Sequence, residues 1–436
     1  MKSSTKFVLW SLLITNLMVA MDTTILNTTG PVVTKDIGGD RYYAWIFSIY
    51  TLLSTITIPI FGKLTDRFGR KVVFLWCTAF FTIFSFLCGI ADSMPELIVY
   101  RALKGLAAGG VLPATGIILG DLLTVKQRGK FQGHFSLIWG ISALLGPLVG
   151  AMIVELLNWR WIFFINIPLG VITLLLMIPY KDEAKRVQSP INWASAFYFA
   201  VAAFSVLILT MNWEWTVFLL PVTILTVVMF YRTERNTDTP FLPIGILKNY
   251  PLLFFNFNTF LFFFALFGLE SFIPYFLQKV QGSSVLMSGL ILAGISLGWM
   301  LSSYLSGKIV IKYKYKKPIL LGNLIITLST IPFFFYTEHT PLLCTFLILM
   351  IHGFCYGLIQ TTASIGSYEL SNECEKGFAS SLQSFARNIG TTFSLGYMGA
   401  LVVKNPFYIL YAAGIFAIIA CLISAALSIK MRSKSF

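Results

Sequence analysis

Two carboxylates stand inside long apolar runs of this chain, Asp22 within residues 7–33 and Glu270 within 252–277. An acid so placed marks a proton or ion path by default, because an apolar medium tolerates it only beside a cation, a cavity or water. Arg101 and Lys104 interrupt another apolar run, 96–120. A carboxylate pulled one way by burial and the other by a nearby cation could gain and lose a proton, which is what a proton-coupled device needs. The alternative is a permanent pair of Asp22 with Arg101 or with Lys104 that only fastens two segments together. Glu270 has no basic neighbour in its own run. It is flanked by Phe262, Phe263, Phe264, Phe267, Phe272 and Tyr275, rings whose faces attract organic cations of many shapes. His352, Tyr356 and Gln360 recur every four residues and share a helical face. Together with Asn27 these residues make a candidate substrate set of Asp22, Asn27, Phe267, Glu270, Tyr275, His352, Tyr356 and Gln360. His134 and Arg387 suit either packing or gating.

The elements that must position these groups are membrane helices. The chain is 57% hydrophobic and 11% charged, with a mean hydropathy of +0.79, outside the range of soluble domains. A span takes roughly 20 mostly apolar residues. Fourteen such runs lie near 7–33, 43–61, 72–91, 96–120, 130–155, 160–180, 191–211, 213–231, 252–277, 285–307, 318–336, 341–366, 378–402 and 406–429. Tyr42, Trp45, Trp159, Trp161, Trp213 and Trp215 fall near their ends, as interfacial anchors do. Counting inward from the outer helix ends puts Asp22, Arg101, Lys104 and Glu270 roughly 9–13 Å deep, all in the outer half of the membrane.

The net charge of +14 reports orientation. With both termini inside, only Lys35, Arg41, Arg160, Lys279 and Lys404 fall outside, Arg101, Lys104 and Arg387 fall within spans, and every other Lys and Arg is cytoplasmic. This removes nucleic acid as the expected partner. The first apolar run is expected to remain in the protein, since it is long, lacks a small-x-small cleavage site and contains Asp22. The six cysteines have no metal or redox spacing. No metal or cofactor site is expected. No nucleophile–base pair or phosphate-binding loop suggests an enzyme.

Residues 62–71 read Gly-Lys-Leu-Thr-Asp-Arg-Phe-Gly-Arg-Lys. Gly62, Leu64, Asp66, Arg67, Gly69, Arg70 and Lys71 resemble the loop between the second and third helices of major facilitator superfamily transporters. Within 21–31, Met-Asp-Thr-Thr-Ile-Leu-Asn-Thr-Thr-Gly-Pro is similar to the first-helix signature of the fourteen-helix drug/proton antiporters of that superfamily. Leu97, Arg101, Lys104 and Gly105 resemble their fourth-helix motif, with Lys104 where a polar neutral residue is more usual. Gly133, Ser142, Gly146, Pro147, Gly150 and Ala151 follow the antiporter motif, with Ser142 and Ala151 in place of glycines. The run 159–170, Trp-Arg-Trp-Ile-Phe-Phe-Ile-Asn-Ile-Pro-Leu-Gly, opens span six as in that family. These matches cover mainly the first 170 residues. Residues 307–316, Gly-Lys-Ile-Val-Ile-Lys-Tyr-Lys-Tyr-Lys, form an eroded second copy of 62–71, with Ile311 in place of Asp66.

The resemblance implies an all-α polytopic major facilitator fold with fourteen transmembrane helices: a six-helix bundle over 1–180, two linking helices over 181–235, and a second bundle over 236–436. It implies a proton-coupled antiporter that exports lipophilic, often cationic drugs by alternating access. Asp22, Arg101 and Glu270 would couple protons, with substrate held near the midplane between the halves. Gly62, Asp66, Arg67, Gly69 and Arg70 would form a conformational latch, with Arg67, Arg70 and Lys71 in water against anionic headgroups. Gly133, Ser142, Gly146, Pro147 and Gly150 would pack helices closely, either within one bundle or as a seam between the halves. No cofactor is implied, the proton gradient being the drive. Expected partners are small drugs, protons and membrane lipids around a monomer in a bacterial plasma membrane. Two other functions fit the chain: a narrow-specificity exporter or flippase of an endogenous metabolite or lipid, and a non-transporting sensor or assembly subunit.

Overall fold

Every apolar run folds as a helix, because a lipid-facing backbone must satisfy its own hydrogen bonds. The computed structural model describes residues 3–123, 125–182, 192–211, 213–237, 249–369 and 376–429. The Asp66 side chain, the surroundings of Gly133, Cys374 and positions 238–248 of the long polar loop lie outside the described residues.

The helices are α1 (Ser3–Ile37), α2 (Tyr43–Phe68), α3 (Arg70–Gly89), α4 (Met94–Leu122), α5 (Val125–Leu156), α6 (Trp161–Phe164), α7 (Asn166–Met177), α8 (Trp193–Met211), α9 (Thr216–Arg235), α10 (Tyr250–Lys279), α11 (Val285–Tyr313), α12 (Lys316–Thr330), α13 (Leu342–Glu369), α14 (Lys376–Lys404) and α15 (Tyr408–Ile429). Among the described residues there are no strands. Starts follow sequence signals: Ser93 caps α4 by accepting from Glu96 N–H at 3.4 Å, and Ser284 caps α11 by accepting from Met287 N–H at 3.1 Å.

Twelve helices among the described residues are long and apolar enough to cross a membrane, so the chain is a multi-pass membrane protein. The two other expected spans have physical reasons to fall short. Span six, Trp161–Met177, is divided at Ile165 into α6 and α7. α14 is 29 residues long but polar on one face, and that face turns inward. There Gln383 accepts from Thr259 at 2.8 Å and donates to Ser367 at 2.9 Å, while Ser394 accepts from Gly268 N–H at 2.8 Å.

The chain divides into two compact units, residues 1–209 with 213–242, and 243–436 with 210–212. The linking helices α8 and α9 thus group with the first unit, although α9 is mostly exposed, with Val217 79% and Phe218 69% accessible. Within the first unit α1 packs on α5 and α7, α2 on α4, and α3 on α4 and α7. Within the second, α10 packs on α14 and α15, α11 on α13, and α12 on α13 and α15. The helix pairing repeats although the sequence has diverged.

Candidate functional site

In the first unit, α1 and α4 meet around one acid. Gly105 lets α4 approach α2 so closely that a Cβ there would lie 2.6 Å from the Tyr50 carbonyl oxygen, and the turn before it delivers Arg101 and Lys104 to Asp22. Arg101 Nη1 donates to Asp22 Oδ2 at 2.8 Å, its Nε donates to the Ile46 carbonyl at 2.9 Å, and its guanidinium lies 4.3 Å from the Tyr50 ring centroid. Lys104 Nζ donates to Asp22 Oδ1 and, at 2.8 Å, to Ser85 Oγ. The same ammonium faces the Phe81 and Phe163 rings at 4.5 and 5.3 Å. Asn166 Nδ2 donates to Asp22 Oδ1 at 3.3 Å and to Ser85 Oγ at 3.0 Å. Asp22, Arg101, Lys104 and Asn166 are all buried, at 5%, 1%, 0% and 2% exposure.

Sequence reasoning placed Asp22 with Arg101 or with Lys104, and the structure brings both to it at once. It missed Ser85 and Asn166. Asn166 lies in the recognised 159–170 run, where a lone amide in an apolar segment was the available signal.

α1 is seated by α5. A Cβ at Gly146 would collide with Thr24, and one at Gly150 would lie 2.9 Å from Ile25 Cγ2. In the space so left, Thr24 donates to the Ser142 carbonyl at 3.0 Å and Thr28 to the Pro147 carbonyl at 3.2 Å. The close packing expected of these residues is seen within the first unit, as a contact that fixes the Asp22 helix. Asn27 is half-buried on the same helix.

The second unit presents the opposite case. Glu270 on α10 is 7% exposed, is absent from every ion pair among the described residues, and one of its carboxylate oxygens has no hydrogen-bond partner there. Tyr356 on α13 stands within electrostatic range of both Glu270 and Arg387. Its ring packs on Phe262, Phe263 and Trp299 at centroid distances of 5.0, 4.9 and 5.1 Å, and Phe267 stacks on Phe263 at 5.9 Å. Tyr275 is buried and lies 5.8 Å from the Lys279 ammonium. His352 is fully buried against Phe333, with both ring nitrogens unpartnered among the described residues. Gln360 donates to Ser364 at 3.4 Å. Tyr356 thus joins Glu270, whereas His352 faces a different neighbour.

The 62–71 loop is tied down by acids that sequence reasoning passed over. Asp182 accepts from the backbone N–H of Arg70 at 2.6 Å and of Lys71 at 3.3 Å, capping α3. Gly69 has φ +100°, and a Cβ there would lie 2.8 Å from Asp182 Oδ2, so glycine answers both demands. Arg70 pairs with Asp121 at the end of α4, and Lys71 donates to the Ile178 and Tyr180 carbonyls at 2.6 and 2.7 Å. Arg70 and Lys71 are therefore engaged within the protein, which corrects their assignment to lipid headgroups. Arg67 is exposed and lies over the Phe68 ring, and a Cβ at Gly62 would meet open space.

The second loop copy keeps this geometry with other chemistry. Lys314, at the position of Gly69, has φ +60° and is the one non-glycine residue with positive φ among the described residues. Tyr315, at the position of Arg70, donates to Glu369 at the end of α13, as Arg70 does to Asp121 at the end of α4. Burial first, and then the Glu369 carboxylate, push the Tyr315 phenol up to about 12, so it stays a neutral donor.

A sequence model of the Major Facilitator Superfamily matches residues 12–395. The chain is 33% identical to the Multidrug transporter protein MdtP of Bacillus subtilis (strain 168), over 90% of this chain and 75% of that protein. It is 31% identical to Multidrug resistance protein 3 of the same organism, over 92% and 80%, and 27% identical to the Multidrug efflux pump SdrM of Staphylococcus aureus (strain N315), over 90% and 88%. Its fold is similar to that of a D-xylose-proton symporter, with a TM-score of 0.68 at 14% identity over 97% of each chain. It also resembles a bacterial homolog of the human lysosomal transporter Spinster in an inward-facing, occupied conformation, with a TM-score of 0.69 at 16% identity over 99% of this chain and 98% of that one.

Proposed function

We propose that this chain, which belongs to the Major Facilitator Superfamily, exports lipophilic and often cationic drugs from the cytoplasm in exchange for protons. Proton exchange takes place at the Asp22 cluster and at Glu270, and the proton gradient drives alternating access without a cofactor. The observation that carries this is the pair of deeply buried ionisable sites on α1 and α10, helices that occupy the same place in the repeated pairing. Buried charges of this kind are costly in a span and are kept where protons or ions move. The named multidrug activities of the Bacillus and Staphylococcus relatives support drugs as the substrate class. The 62–71 loop biases the two access states, Glu270 and its aromatic surroundings receive the cationic guest, and the monomer sits in a bacterial plasma membrane with both termini cytoplasmic.

The test is purified protein in liposomes that contain a pH dye and are challenged with a panel of cationic and neutral drugs. Drug-dependent proton movement with many of them is expected. Movement with one compound alone favours a narrow-specificity exporter, and none with any compound overturns the proposal.

A further inference from the structure

We infer that the proton exchanged by the buried cluster of the first unit is carried by the Lys104 amine, and that Asp22 stays ionised throughout; this rests on the proton coupling proposed above. The first ground is charge. Arg101 and Lys104 share the single carboxylate of Asp22, and among the described residues no second acid pairs with either base. With all three groups ionised the cluster holds a surplus positive charge at a fully buried place, where an uncompensated charge is expensive. Arg101 cannot shed it, because a guanidinium keeps its proton in proteins. Protonating Asp22 would double it. Removing a proton from Lys104 leaves one carboxylate with one guanidinium, which is neutral.

The second ground is the direction of the hydrogen bonds. Asp22 is met by Arg101 Nη1, Lys104 Nζ and Asn166 Nδ2, and all three are donors. An O–H on Asp22 would find no acceptor among them. Lys104 has a partner that serves either state, since Ser85 Oγ accepts from the ammonium now and carries a hydroxyl proton that a neutral amine can accept. That proton points at present to the Phe163 carbonyl at 2.8 Å. A neutral Lys104 still has an N–H for Asp22 and can rest against the Phe81 ring.

The groups facing Lys104 come from every helix packed around it. They are Asp22 from α1, Ser85 and the Cys88 thiol from α3, Arg101 from its own helix and Asn166 from α7, with the Tyr50 hydroxyl of α2 beyond Arg101. In the step itself an Nζ–H bond breaks, its electron pair stays on nitrogen, and the proton passes to water admitted from the cytoplasmic side. The outward-open state restores it from external water.

The test is the proton-to-drug ratio, read in proteoliposomes as the pH gradient that just halts drug flux at a clamped voltage, for wild-type protein, Lys104→Arg and Lys104→Met. Both variants are expected to exchange one proton fewer per drug while still exchanging drug for drug. If Lys104 were only a counter-ion, Lys104→Arg would keep the wild-type ratio, and that result overturns the inference. Should Lys104→Arg fail to fold, Lys104→Met decides alone: an unchanged ratio overturns the inference and a lower one upholds it. Loss of drug-for-drug exchange in folded Lys104→Met also overturns it, by placing Lys104 in the drug route. A wild-type ratio of zero removes the proton coupling rather than the role of Lys104.

Discussion

Asp22 and Glu270 occupy related places in two copies of one helix arrangement, and they meet burial in opposite ways. The register of the loop copies sets Asp22 opposite Phe267, one turn before Glu270. Asp22 is surrounded by donors and two cations, whereas Glu270 stands within electrostatic range of Tyr356, whose ring packs on Phe262 and Phe263, and has one oxygen unpartnered among the described residues. The difference teaches that the repeat conserves backbone geometry and frees the chemistry at each copy. The first acid belongs to a preorganised polar network, and the second has capacity left for a guest.

The largest effect expected from breaking this contrast comes from Asp22→Asn, which leaves Arg101 and Lys104 buried without their acid. Loss of one partner from a buried pair costs about 3–5 kcal/mol. Thermal unfolding should therefore fall sharply and transport of every substrate should be lost. Retained stability together with full drug-driven proton movement would remove Asp22 from the mechanism.

The cytoplasmic loops sharpen the same comparison at lower cost. Arg70→Gln breaks the pair with Asp121, a partly exposed contact worth about 1 kcal/mol or less. Turnover should slow several-fold with drug affinity unchanged, because the loop biases two states without touching the guest; equal rates in both proteins would make the pair ornamental. In the second copy, Lys314→Gly relieves a backbone conformation that costs a side chain about 1–3 kcal/mol. This substitution should raise the unfolding midpoint, and a lower midpoint would show that the Lys314 side chain contributes a contact that outweighs its backbone. Tyr315→Phe deletes one hydrogen bond to Glu369 and should cost about 0.5–1.5 kcal/mol, measurable as a small fall in unfolding midpoint. Burial and the Glu369 carboxylate hold the Tyr315 phenol protonated above its ordinary value of 10.0 in the folded loop. The stability linked to it should thus be complete below that pH and fade as pH rises through about 12.

Much of this architecture was legible from composition, because apolar run length sets a span and the Lys/Arg distribution sets an expected orientation. The fourteen runs are found as helices, with Trp161–Met177 falling short of a span in length and α14 in apolar character. Asp22, Arg101 and Lys104 were legible as charges inside spans, but their convergence was not, since sequence spacing relates positions only along one helix. Ser85 and Asn166 were hidden for a similar reason: a hydroxyl or amide in an apolar run gains its meaning from the helix opposite. Asp121, Asp182 and Glu369 lie far along the chain from the loops they hold, and the second loop copy disguises its pairing by using Tyr315 where the first uses Arg70.

The division of labour between the two acids is tested most directly by Glu270→Gln, which preserves shape and breaks no ion pair found among the described residues. Its transport of a cationic drug and of a neutral drug should be measured side by side in proteoliposomes, with pH gradient and voltage imposed separately. Cation transport is expected to fall about tenfold or more, a change of about 1.4 kcal/mol in transition-state stabilisation, while neutral-drug transport falls far less. Equal loss for both drugs would contradict the account, because it would remove the cationic guest from Glu270 and leave it proton exchange alone.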